Sequence, residues 1–111
     1  MLRDGENLSN PLSLPSRKGW KVFSADPIDS PFVIRYPGRG RTLRIEYASE
    51  DRLAAYWGIW INSGGWEGHK HFAVEPTTGR FEQIDRAIKD GSAGMVGPQG
   101  RRNWSVRWNL Q

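Results

Sequence analysis

Trp57–Arg80, WGIWINSGGWEGHKHFAVEPTTGR, is the stretch whose reading decides the fold. It completes Ala54–Ile61, a run apolar on both parities, with Tyr56, Gly58 and Trp60 on one face and Trp57, Ile59 and Ile61 on the other. A strand apolar on both sides is covered on both sides, which places it in the middle of a layered β structure. Asn62-Ser63-Gly64-Gly65 ends it as a turn or bulge, and Trp66-Glu67-Gly68 prolongs the loop. His69–Pro76 resumes as a strand, and Pro76, which has no ladder donor, is expected to close it.

The flanks add strands and one helix. Phe32–Tyr36 and Thr42–Ala48 alternate, with Phe32, Ile34 and Tyr36 on one face and Leu43, Ile45 and Tyr47 on one face. Pro37-Gly38-Arg39-Gly40-Arg41 between them is turn material, so the two form a hairpin. Trp20–Ser24 is a further short strand. Before it, Asn10-Pro11 and Leu14-Pro15 break regular structure, so residues 1–19 read as an irregular arm and 20–111 as the β-domain. Downstream, Phe81, Ile84 and Ile88 fall at i, i+3 and i+7 with Ala87 beside them. This predicts a short helix within Thr77–Asp90, stopped at Asp90-Gly91. Val96–Gly100 is a turn, and Asn103–Leu110 alternates with Trp104, Val106, Trp108 and Leu110 inward. The fold class is therefore mainly β, an antiparallel β-sandwich or partial barrel with one short helix.

At 111 residues the chain forms one domain at most. It has no cysteine, so neither a disulfide framework nor a thiolate metal site is available, and a reducing, cytoplasmic setting fits. No stretch is apolar enough for a signal peptide or a membrane span. A net charge of +4 bears on solubility and non-specific binding rather than on fold.

Strand geometry limits which polar groups cooperate. Alternation puts His69, His71, Ala73 and Glu75 on one face, with His71 and Glu75 roughly 13 Å apart along the strand. Glu75 is thus not an acid–base partner of its own strand's histidines. Ala73 between them leaves room for a ligand ring.

Trp57-Gly58-Ile59-Trp60-Ile61-Asn62, Gly64-Gly65-Trp66-Glu67-Gly68 and His71-Phe72-Ala73-Val74-Glu75-Pro76-Thr77-Thr78 together resemble the C-terminal part of the aldose 1-epimerase, or galactose mutarotase-like, family. Phe81–Lys89 resembles that family's following helix, and Pro98-Gln99-Gly100 with Trp104-Ser105-Val106 its closing strand. The resemblance implies a partial supersandwich of antiparallel sheets and a role in carbohydrate metabolism: isomerase chemistry that interconverts the anomers of an aldose. In that chemistry a glutamate takes the proton of the anomeric hydroxyl while a histidine protonates the ring oxygen. By match to the Glu-Pro motif, Glu75 corresponds to the general base. Trp60 or Trp66 would offer an apolar face to a sugar, His71 would lie at the rim, and Asn62 or Arg80 would bond its hydroxyls. The family's acid histidine lies outside the part matched here. The expectation is therefore a monosaccharide-binding protein incomplete as a catalyst by itself, whose sandwich a second copy or another chain completes. No cofactor is implied.

Other readings use the same residues. The first is a non-catalytic sugar-binding module. The second is a cupin-like metal protein: His69-x-His71-x3-Glu75 reproduces half of that motif, on one strand face, with ligands that suit a transition metal. The motif's other half needs a histidine after Pro-x-Gly, whereas Pro98-Gln99-Gly100 is followed by Arg101-Arg102-Asn103. The third is nucleic-acid binding, suggested by arginines among aromatics. It is disfavoured because alternation turns Trp104 and Trp108 inward, opposite to Arg107, and because the charge is small. Glu75 as a plain surface carboxylate and Trp57, Trp104 and Trp108 as core are the bland counterparts.

Overall fold

The computed structural model describes residues 2–3, 6–7, 9–10 and 13–111. In chain order its elements are β1 (Leu2–Arg3), β2 (Glu6–Asn7), β3 (Lys18–Phe23), β4 (Phe32–Tyr36), β5 (Arg41–Ala48), β6 (Tyr56–Ser63), β7 (Lys70–Thr77), α1 (Ile84–Asp90) and β8 (Ser105–Leu110). The class is the expected one: mainly β, with two antiparallel three-stranded sheets, ordered β3-β6-β7 and β4-β5-β8, and one short helix. Two compact units share the chain, Met1–Phe23 with Gly58–Glu75 and Ser24–Trp57 with Pro76–Gln111. Among the described residues no helix is long and apolar enough to cross a membrane.

In the first unit β6 is the central strand of its sheet. Seven of its eight residues are buried, as its double apolar pattern required; Trp60 alone is half-exposed. Trp20 lies opposite Ile61, and Val22 opposite Ile59, so that face of β3 and β6 forms the unit's core. Lys21, opposite Trp60, points to the other face. The segment before β3 is tied to the end of β6: Arg17 N–H donates to the Ser63 carbonyl at 2.7 Å, and Ser63 Oγ donates to the buried Leu14's carbonyl at 3.2 Å. Within the stretch read as irregular, β1 and β2 pair antiparallel and strand begins at Lys18. β7 runs through Pro76 to Thr77 instead of stopping at the proline. It has a strand on one side only, so a residue without N–H is tolerated where the ladder has no partner.

The second unit holds the β4–β5 hairpin. Its register pairs Phe32 with Ile45, Ile34 with Leu43 and Tyr36 with Arg41, bringing the expected apolar residues onto one face. A 3-10 turn over Pro37–Arg39 closes it. Gly40, at φ 57°, returns its N–H to the Pro37 carbonyl at 3.2 Å. Ile45, on the central strand, is fully buried. Trp57 is core as expected, its ring edge-on to Phe32 at 5.5 Å and its Nε1 donating to the Ser30 carbonyl at 3.3 Å.

The expected short helix is present over Ile84–Asp90 and stops at Gly91, but Ile84 and Ile88 are exposed, leaving Ala87 as its one buried residue. Phe81 adopts φ 74°, which no right-handed helix accommodates, so the apolar spacing from Phe81 does not describe a helical face. Trp104, Trp108 and Leu110 are exposed, not core. Alternation gave their shared side, but β8 is an edge strand, and parity says nothing about what lies against a face.

Candidate functional site

The first unit gathers most of the residues singled out in the sequence. The hinge is the loop between β6 and β7. Gly64, Glu67 and Gly68 take positive φ, letting the chain turn tightly enough for Gly64 N–H to reach the His69 carbonyl at 2.8 Å and His69 N–H the Trp66 carbonyl at 3.1 Å. Asn62 holds this loop from inside. Its Oδ1 accepts from Trp66 N–H at 3.0 Å, and its Nδ2 donates to the carbonyls of Trp66 at 3.1 Å and His69 at 2.8 Å. At 2% exposure its amide is committed to the backbone, so it shapes the loop and does not reach toward sugar hydroxyls.

The loop so held presents Trp66, 56% exposed, beside the start of β7. The Trp66 ring stands 6.3 Å from His69 and edge-on to His71 at 6.1 Å. His71 in turn leans on Trp60 at 4.9 Å. Trp60, Trp66, His69 and His71 thus form one aromatic cluster with both imidazoles exposed. Glu67 Oε2 lies 4.0 Å from His69 Nε2 at its edge.

Glu75 is not bonded to either histidine. Its Oε1 accepts from Lys21 Nζ at 2.8 Å, and its side chain remains 46% exposed. β3 and β7 lie on opposite sides of β6, so the two side chains reach one another across the central strand. Lys21 also stands 5.5 Å from the ring of Phe23. Lys21 was missed in the sequence. Its parity opposite Trp20 is readable there, but its meeting with Glu75 depends on strand order.

Arg80 belongs to the second unit, where it has a structural partner. Its Nε and Nη2 form a fork onto Asp90 at 3.0 and 2.6 Å, and its Nη1 donates to the Ala25 carbonyl at 2.8 Å. The guanidinium also lies 5.6 Å from the Tyr56 ring. The hydrogen bond from Arg80 holds the Asp90 carboxyl below its ordinary value, and Asp90 correspondingly raises that of Arg80. The metal reading loses its ligand set. Among the described residues no three His, Asp or Glu side chains converge to hold an ion, and Glu75, far along the extended strand from His69 and His71, is bonded to Lys21 instead.

The arrangement offers an exposed aromatic platform with ring nitrogens at its rim and an ammonium–carboxylate pair within the same unit. Such groups stack against the apolar face of a ligand and hydrogen-bond to its hydroxyls. Set against protein-family models, characterised proteins and solved structures, the chain matches none.

Proposed function

We propose that the chain binds a carbohydrate on the Trp60–Trp66–His69–His71 cluster, as a non-catalytic sugar-binding module. The observation that carries this reading is Trp66: a large ring, more than half exposed, on a loop whose internal hydrogen bonds hold it beside two exposed imidazoles. A ring fixed in place loses little freedom on binding, and the C–H face of a pyranose is the apolar surface it suits. His69 and His71 supply donors and acceptors for hydroxyls at its rim. The resemblance to aldose 1-epimerases points to the same class of ligand.

Epimerase chemistry is the second reading, and Glu75 is the residue that favours it. It is a half-exposed carboxylate at the position the resemblance gives to the base. Against turnover by this chain, its Oε1 is bonded to Lys21, leaving Oε2 alone to take a proton, and no histidine pairs with it as the acid.

A tryptophan-fluorescence titration with glucose and galactose tests the binding reading. A saturable change abolished by Trp66→Ala is expected; no saturable change up to about 100 mM sugar, well above millimolar affinity, would sink it. Polarimetric mutarotation of the α anomers separates the two readings. Catalysis lost in Glu75→Gln supports the epimerase, and binding without catalysis supports the module.

A further inference from the structure

We propose that the β4–β5–β8 sheet of the second unit binds single-stranded nucleic acid, its exposed aromatic stripe stacking on bases and its arginines meeting phosphates. The stripe follows from the register. Leu43 lies opposite Leu110, Ile45 opposite Trp108, Tyr47 opposite Val106 and Tyr36 opposite Arg41, all on one face. On the central strand Ile45 is sealed, whereas on the edge strand Trp108 is 60% exposed and Trp104, one residue before β8, is 58% exposed. Alternate strand residues stand about 6.6 Å apart, so Trp104, Val106, Trp108 and Leu110 form a run about 20 Å long. At the Leu110 end a shallow hollow is lined by Tyr36, Arg39, Arg41, Leu43 and Leu110, which brings two guanidiniums alongside the run.

Charge selects the occupant. Arg39 in the turn and Arg41 adjoin the aromatic face, whereas Arg35, opposite Thr42, lies on the other face with Arg44, Arg107 and the sheet's one acid, Glu46. Glu46 is engaged by Arg44 at 3.1 Å and approached by Arg107 at 3.9 Å, all three on the face opposite the tryptophans. Among the described residues no carboxylate pairs with Arg39 or Arg41, and the aromatic face contributes no acid from any of its strands. A second copy would set this cationic surface against an identical one, and an uncharged apolar partner would leave the guanidiniums without counter-charge. A polyanion with flat apolar rings satisfies both features, and only a single strand frees its base faces for stacking. The inward placement of Trp104 and Trp108 was the sequence's chief argument against such a ligand. Their exposure removes it.

Fluorescence anisotropy of a labelled oligothymidylate of about 15 nucleotides, a length that spans one such platform, tests the proposal. Saturable binding is expected to weaken with salt, with a log–log slope of about −1.4 for two phosphate contacts at about 0.7 each. Arg39→Ala with Arg41→Ala should remove most of that slope. Trp108→Ala should weaken binding roughly tenfold while Trp108→Phe retains most of it. Far-UV circular dichroism checks that each variant folds. Absence of binding overturns the proposal, as does binding that Trp108→Ala leaves unchanged, which would be charge alone. So does a dimer in sedimentation that Trp108→Ala dissolves and that excludes the oligonucleotide, which would make the stripe an interface between copies.

Discussion

Asn62 shows how much of a candidate site rests on one buried amide. Its three hydrogen bonds satisfy backbone groups of Trp66 and His69 inside a loop that makes few others. Removing the amide takes the partner from Trp66 N–H, while the carbonyls of Trp66 and His69 each keep one bond, from His69 and Gly64 N–H. Asn62→Ala is therefore expected to lower stability by roughly 1–3 kcal/mol in urea unfolding. A loss under about 0.5 kcal/mol, the scale of an ordinary surface change, would mean that the loop is held by other means. The sequence offered Asn62 as a ligand to hydroxyls, and the structure turns its amide onto the loop backbone. An amide next to tryptophans suits a ligand hydroxyl and a turn carbonyl equally well, and only burial separates the two. Trp66 was legible for the converse reason: a large ring among glycines has no strand face to fill.

α1 makes the same point for an element. It buries Ala87 alone, so little apolar packing anchors it, and its C-terminal end is fastened by the Arg80–Asp90 fork and by Gly91, whose N–H returns to the carbonyls of Ala87 and Ile88. Gly91 sits at φ 78°, where a side chain is strained, so Gly91→Ala is expected to cost about 1 kcal/mol, while Ile88→Gln on the open face stays within about 0.5 kcal/mol. Thermal melts of the two variants check this pair, and a reversed order would mean that Ile88 anchors the helix and the Gly91 cap does not. The fork also carries a pH signature. Arg80 depresses the folded carboxyl of Asp90, so as pH falls the unfolded chain takes up the proton first, near pH 3.9. The contribution is complete above that value and is lost as pH falls through the lower folded one. Asp90→Asn is expected to melt lower than the parent at pH 6, with the gap closing toward pH 2.5. A gap constant across that range would detach Asp90 from the helix's stability. The helix stop was readable because an αL glycine is local chemistry. The start was not, because Phe81 leaves the helical region for reasons its own spacing does not contain.

At the scale of the molecule, strand identity was legible and coverage was not. β4 and β5 emerge from alternation, since period two is fixed by the pleat, and β6 from its continuous apolar run. Strand order is set by contacts distant in sequence, and it decides both the Lys21–Glu75 pair across β6 and the exposure of Trp104 and Trp108 at the edge β8. Parity assigned the two tryptophans to one side without saying that the side is open. Two exposed aromatic surfaces result, each contained within one unit: Trp60, Trp66, His69 and His71 in the first, Tyr36, Trp104 and Trp108 in the second. Their chemistry differs. The first has imidazoles at its rim and the second guanidiniums, so the first suits hydroxyls and the second phosphates. The two proposals therefore predict a double dissociation. Trp66→Ala should abolish the sugar-induced fluorescence change and leave oligonucleotide anisotropy as in the parent. Trp108→Ala should weaken the oligonucleotide and leave the sugar titration intact, and only the oligonucleotide should respond to salt. If Trp66→Ala impairs both ligands equally while circular dichroism reports a folded chain, the two surfaces are not separate sites. A single aromatic platform that accepts any ring would then describe the molecule better than two specific ones.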